Sequence, residues 1–227
     1  MPERVLAVYA HPDDADVSCG GTMAKWAADG ADVHVVVCAS GDKGSSDAAV
    51  DPSVLGARRA AEVESAATAL GLRGHHLLGH ADGDLANEPS LRREIVALVR
   101  AVQPDVVLCP DPTAVFFGSS YVNHRDHRIV GWATIDAVAH EARSPHYFPD
   151  AGPPHRVAEL WLSGSLEPDE WVDIAATIDA KTEALRAHES QVAEAGEWLR
   201  TFVQERAEEA GRQAGVKYAE GFRRLTF

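Results

Sequence analysis

The sequence predicts an α/β fold: a Rossmann-like, doubly wound, mostly parallel sheet with helices on both faces. Two observations carry that reading. Apolar runs of strand length, RVLAVY, DVHVVVC and DVVLC, are hydrophobic at nearly every position instead of alternating, as in strands covered on both faces. Segments with helical spacing separate them, and a β-α-β-α order implies right-handed parallel crossovers with ligands bound beyond the C-terminal strand ends.

The first strand is expected from Arg4 to Tyr9 and the first helix from Gly21 to Asp29. Asp32 to Cys38 forms the next strand, and Val54 to Leu70 a helix that stops at Gly71, where a left-handed residue closes the last turn. Leu91 to Val102 reads as a helix with Ser90 as its N-cap, ending before Pro104, and Asp105 to Cys109 as a strand. A helical run follows from Ile129 to Ala142, then a strand from Val157 to Leu162 (VAELWL). Helices from Ile174 to His188 and from Ala193 to about Ala214 complete the pattern, the last one polar on its solvated face. The Pro-rich stretch from Ser144 to Arg156 is too short to separate two cores and reads as an ordered loop. No internal repeat is present, and one domain over residues 1–227 is expected.

Charge narrows the partners. Lys and Arg number 21 against 35 Asp and Glu, a formal net charge of −14, and so acidic a surface repels phosphate backbones and anionic headgroups. Neither nucleic acid nor membrane is expected as a partner. Cys19, Cys38 and Cys109 are an odd set without CxxC spacing, which suggests neither a disulfide framework nor a thiolate zinc site. No stretch approaches the ~20 apolar residues of a membrane span, and MPERVLAVYAHPDD reaches paired acids before a signal h-region could form. A cytoplasmic location is expected.

The chemistry concentrates in two clusters. The first strand ends in Ala10-His11-Pro12-Asp13-Asp14; Pro12 restricts the loop, so His11 and Asp14 can converge while Asp13 projects elsewhere. The bland alternative is that Asp13 or Asp14 caps the next helix. The second cluster, Asn123-His124-Arg125-Asp126-His127-Arg128, opens a helical run after the fourth strand and its loop. His124 and His127 are three apart and share a helix face, and loops after strands one and four flank the switch point of a doubly wound sheet. Two histidines and a carboxylate with a position left for water make a catalytic zinc set, although the same set accommodates Fe²⁺, Co²⁺ or Mn²⁺.

Amide hydrolysis assigns the roles. A zinc ion held by His11, Asp14 and His127 would lower the pKa of a water to ~7 and polarise the carbonyl. Asp13 is then the spare carboxylate for a general base, and His124 is placed to stabilise the oxyanion or act as acid. A helix N-terminus disfavours imidazolium, so Asp126 is expected to help hold His124 protonated.

At these residues the sequence resembles the LmbE-like or PIG-L family of zinc-dependent N-deacetylases, whose signatures stand here as AHPDDADVSCGGTMAKW and NHRDHR. The likeness extends to Arg59-Ala60-Ala61-Glu62, to Asp82-Gly83-Asp84-Leu85 after the third strand, to Lys181 with AHESQ at Ala187 to Gln191, and to AEGFR at Ala219 to Arg223. The resemblance implies His11, Asp14 and His127 as metal ligands, Asp13 as base and His124 as the oxyanion-stabilising histidine. It implies a small N-acetylated sugar conjugate as partner, with Arg59 and Asp82 at positions that hold sugar hydroxyls; a surface arginine and a turn former are the competing readings. It also admits a homo-oligomer.

One departure concerns Val122, where some members carry a tyrosine; here Tyr121 precedes it. The loop from Thr113 to Tyr121 offers Phe116, Phe117 and Tyr121 either for stacking on a sugar or for burial in a core or interface. His188, at the end of an expected helix, suits a C-terminal cap better than a pocket role. Rivals to the hydrolase are a metal-containing sugar-binding protein without turnover and an amidase for another N-acyl conjugate. A nucleotide-binding protein is disfavoured because carboxylates stand where a pyrophosphate would need glycines, and a two-metal phosphoesterase because the ligands suffice for one ion.

Overall fold

The apolar runs near the N-terminus, at Asp32 and at Asp105 become three adjacent interior strands of one sheet. The computed structural model describes residues 1–193 and 198–227. In chain order the elements are β1 (Arg4–Tyr9), α1 (Asp14–Ala28), β2 (Asp32–Ala39), α2 (Pro52–Ala69), β3 (Gly74–His80), α3 (Pro89–Val102) and β4 (Val106–Pro110). A small hairpin follows, β5 (Phe116–Phe117) and β6 (Tyr121–Val122), then α4 (Arg125–Asp136) running into a π-helical turn, Ala137–Glu141. The remainder is β7 (Glu159–Ser163), β8 (Glu170–Asp173), α5 (Ile178–Ala187), α6 (Glu189–Val192), α7 (Trp198–Ala214) and β9 (Ala219–Thr226).

The main sheet has the order β3-β2-β1-β4-β7-β9-β8. Its first five strands pair in parallel, whereas β9 joins β7 and β8 antiparallel. Side chains of β1 alternate between two helix layers, which explains why all of Val5 to Tyr9 are fully buried. Val5, Ala7 and Tyr9 pack with Met23, Val63, Leu185 and Val203 of α1, α2, α5 and α7. Leu6 and Val8 pack with Leu91, Ile95, Val130 and Ala133 of α3 and α4. Because β1 lies between β2 and β4, the crossovers diverge there and open a crevice beyond the carboxyl ends of β1 and β4.

Several boundaries differ from expectation for physical reasons. Helix α1 begins at Asp14, seven residues before Gly21, with a break at Cys19 (φ −144°, ψ 20°); the turn before the break lacks an apolar period. Glu88, not Ser90, is the N-cap of α3, with Pro89 in the first turn. Helix α4 starts at Arg125, four residues before Ile129, because His124 caps it with its own ring. The edge strand β8 and strand β9, in which both faces mix apolar and charged residues, carry no continuous apolar run. Residues 194–197, inside the helix expected from Ala193, lie outside the described residues.

Arg100 orders the Pro-rich loop. Its buried guanidinium donates to the carbonyl oxygens of Glu141, Ala142, Ser144, Tyr147, Phe148 and Gly152, so a side chain supplies the partners that the loop backbone lacks. Cys19, Cys38 and Cys109 are free and buried. Among the described residues, no helix is long and apolar enough to cross a membrane.

Candidate active site

The buried end of β1 delivers His11 into the crevice, where the backbone folds back on itself. The His11 amide donates to Asp14 Oδ2 at 2.7 Å, and the Asp14 amide donates to the His11 carbonyl at 3.3 Å. Asp14 is thereby pinned in the first turn of α1. Asp13, at the N-cap position, makes no side-chain cap, so neither carboxylate is used up in starting the helix.

Two imidazole nitrogens and the carboxylate of Asp14, drawn from both motifs, converge. His11 Nδ1 lies 3.2 Å from His127 Nε2 and 3.2 Å from Asp14 Oδ2, and His127 Nε2 lies 3.1 Å from Asp14 Oδ1. A tetrahedral ion with ligands at about 2.0–2.1 Å would separate them by roughly 3.3 Å, so the donor set fits one zinc-sized cation. The far nitrogens are also engaged: His11 Nε2 faces Asp82 Oδ1 at 3.2 Å and Asp126 Oδ2 at 3.6 Å, and His127 Nδ1 faces Asn123 Oδ1 at 3.0 Å. Such outer partners fix the tautomer and ring orientation of metal-binding histidines.

Two other groupings come within 4.8 Å, His11 with His124 and His127, and His11 with Asp82 and Asp126. The second uses the opposite nitrogen of His11, so it does not compete with the set containing Asp14 for the same atom. Electrostatics reinforce that set. Burial alone would lower the pKa of His11, but the hydrogen bond and charge of Asp14, with Asp82 and Asp126, raise it to about 9. Burial would raise that of Asp14, yet His11 and His127 hold its carboxyl far below the usual carboxylate range.

Asp13 pairs with an arginine outside that set. Arg59 Nη2 donates to Asp13 Oδ1 at 3.0 Å and Nη1 to the Gly41 carbonyl at 3.1 Å. Arg59 is only 3 % exposed; it reaches the site from α2 as a support for Asp13 and also lines the more open cavity beside His11 and Asp82. The chain closes over it at Gly41, whose φ is +66° and whose missing Cβ would sit 2.4 Å from Arg59 Nη1. Asp82 likewise faces His11, which is where the turn before Gly83 aims it.

His124 departs from the expected role of its neighbour. Its backbone is extended (φ −55°, ψ 142°), which returns the ring over the helix start, and its Nδ1 accepts from the Asp126 amide at 3.2 Å. An accepting Nδ1 means a neutral imidazole with its proton on Nε2. Burial and the facing His11 and His127 lower its pKa, against Asp126 and Asp82. The fully buried Asp126 carboxylate instead accepts from the Gly83 amide at 2.7 Å and faces His11. It therefore ties the Asp82 loop to the cluster and does not hold His124 protonated. The His11 and His124 rings meet edge to face, 4.8 Å between centroids.

Two cavities flank the cluster. One of about 380 Å³ runs past Asp14, Asp111 and Phe117; a more open one of about 530 Å³ runs past His11, Lys43 and Asp82. Asp13, His127 and Tyr121 line both. The hairpin leaves Phe116 66 % and Tyr121 52 % exposed, which favours the reading as an accessible aromatic platform over a buried one. Sequence reasoning overlooked Asn123 and Gly41; an amide four residues before His127 was the available signal for Asn123.

The GlcNAc-PI de-N-acetylase (PIG-L) family model matches residues 6–138, which contain both motifs. The chain belongs to this family. Its PIG-L relatives include the diacetylchitobiose deacetylase of Thermococcus kodakarensis, 33% identical over 225 residues that cover 97% of this chain and 82% of that protein. The 1D-myo-inositol 2-acetamido-2-deoxy-alpha-D-glucopyranoside deacetylase of Rhodococcus jostii is 34% identical over 249 residues, covering 83% of this chain and 82% of its own length. Among solved PIG-L structures, the N,N'-diacetylchitobiose deacetylase from Pyrococcus horikoshii superposes with a TM-score of 0.89 at 29% identity, covering 99% of this chain and 84% of that one. These relatives are deacetylases, hydrolases of a non-peptide carbon–nitrogen bond, and the sheet with its helix layers is the α/β fold of that type.

Proposed function

We propose that the protein is a zinc-dependent N-deacetylase that hydrolyses the acetamide of a small N-acetylglucosamine-containing substrate, with residues 1–227 acting as one domain. The observation that carries the reading is the convergence of His11, Asp14 and His127 within 3.1–3.2 Å beside an Asp13 held out of that set. When bound by these three residues, zinc supplies Lewis acidity, acidifying a water and polarising the acetamide carbonyl.

The chain's own residues do the rest. Arg59 engages one oxygen of Asp13, which leaves the other to take a proton from the attacking water and pass it to the leaving nitrogen as the C–N bond breaks. His124, neutral with a proton on Nε2, donates a hydrogen bond to the carbonyl oxygen as negative charge develops there. Acetate and a free amine leave. Asp82 and Asp126 hold the His11 ring in its ligating orientation, and the two cavities give the sugar and its aglycone separate directions of approach. An overall acidic surface suits a neutral or cationic substrate better than a polyanion. Buried free thiols suit a reducing compartment, the cytoplasm.

The test is acetate release from a panel containing N-acetylglucosamine, diacetylchitobiose and an N-acetylglucosaminyl inositol, with and without a chelator. Turnover that zinc restores after chelation is the expected result. Chelator-insensitive turnover overturns the metal role, and no acetate from any N-acetyl sugar overturns the substrate class.

A further inference from the structure

Lys181 and the AHESQ segment lie on and just after α5, the AEGFR segment lies some way further on in β9, and none takes part in the chemistry above. The fold brings one residue of each, Lys181, His188 and Glu220, to a single place beneath α1. Helix α1 is broken there: the non-helical Cys19 separates a short turn, residues 14–18, from the longer helix that follows. A break of this kind strands carbonyl groups on one side and amides on the other.

Three of the groups at the break have side-chain partners from elsewhere in the chain. Lys181 Nζ donates to the Val17 carbonyl at 2.8 Å, at the end of the short turn. Glu220 accepts from the Gly21 amide at 3.0 Å and the Thr22 amide at 2.7 Å, the second and third positions of the helix that restarts after Cys19, and so performs an N-cap's work from strand β9. Lys181 Nζ and Glu220 Oε1 are 2.5 Å apart, and His188 Nε2 meets Asp16 Oδ2 at 2.7 Å. All four side chains are buried, His188 completely. His188 stands at the C-cap position of α5, as the sequence suggested, with its backbone amide on the Leu185 carbonyl, and its ring additionally reaches the short turn. A buried ion pair is a poor source of net stability compared with apolar packing, but one that also satisfies three backbone groups specifies an angle between two pieces of chain.

We propose that Lys181, Glu220 and His188 are positioning residues that set the angle of the 14–18 turn, aiming Asp14 at His11 and His127 and placing Asp13 against Arg59. The inference rests on the reading of Asp14 as ligand and Asp13 as base. None of the three touches the ligand set; they act through the backbone of α1.

Glu220→Ala, Glu220→Gln and Lys181→Met test it in the full-length chain, with Val99→Ala in the opposite helix layer as a comparison of similar thermal destabilisation. Zinc affinity by chelator competition, hydrogen exchange of the 14–18 amides, and kcat with KM are measured. Glu220→Ala and Lys181→Met are expected to weaken zinc about tenfold or more, to speed exchange at 14–18 ahead of β1 and β2, and to lower kcat at least about tenfold with KM within about twofold. Glu220→Gln keeps one acceptor oxygen where Gly21 and Thr22 together use two, and should recover only part of the loss, while Val99→Ala keeps zinc affinity and kcat. Lowered thermal stability with parental zinc affinity and parental exchange at 14–18 overturns the proposal. Should the parent release no acetate, the deacetylase reading fails on that result alone, and zinc affinity and local exchange still decide whether the brace exists.

Discussion

Arg59 donates from Nη2 to Asp13 Oδ1 across 3.0 Å, linking helix α2 to the one carboxylate of the first motif that stays clear of the ligand set. The pair makes orientation of the base depend on a residue 46 positions away. Arg59→Met should therefore lower kcat about tenfold or more while zinc content stays near the parental value. Steady-state kinetics beside metal analysis checks this; parental kcat would show that Asp13 needs no such support.

Replacing the base itself is more severe. Asp13→Asn retains the shape of the loop but cannot accept a proton, and turnover should fall about 10²–10⁴-fold with zinc still bound. Activity within about tenfold of the parent would remove Asp13 from that role.

Asn123 reaches the metal set only through His127 Nδ1, at 3.0 Å. Asn123→Ala should weaken zinc about 10–100-fold, and excess zinc should restore much of the lost activity, which a titration of turnover against free zinc would display.

Gly41 combines a φ of +66° with the closest approach to Arg59 in the loop. Alanine there adds backbone strain of about 1–3 kcal/mol and pushes against the guanidinium. Gly41→Ala is expected to lower both the melting temperature and kcat, whereas Gly71→Ala, also at positive φ but with open space around it, should affect the melting temperature alone.

Burial pushes the thiols of Cys19, Cys38 and Cys109 well above their ordinary range. Since thiolate is the reactive form, the native protein should titrate no thiol with an aromatic disulfide at pH 8 and three after denaturation. Rapid reaction of the native chain would show that the two helix layers open readily.

Legibility followed locality. The strand runs at Arg4, Asp32 and Asp105 were readable because burial on both faces writes itself into every position, while β9 went unread because charged residues interrupt both of its faces. The helix from Val54 was recognisable by its spacing and its stop at Gly71. The 14–18 turn of α1 was not, since the groups at the break that ends it are met by Lys181 and Glu220, more than 160 residues on.

At the site, residue types and spacing marked His11, Asp13, Asp14, His124 and His127, because hydrolytic metal chemistry needs imidazoles and carboxylates close together. Partnerships were another matter. That Arg59 supports Asp13, that Asp126 faces His11 and leaves His124 neutral, and that Asn123 orients His127 depend on which strands lie side by side. The sequence by itself determined the fold class and the chemical inventory, both consequences of local pattern. The tertiary structure alone decided which nitrogen meets which oxygen, because hydrogen-bond geometry is set within tenths of an ångström by packing among elements that the chain order keeps apart.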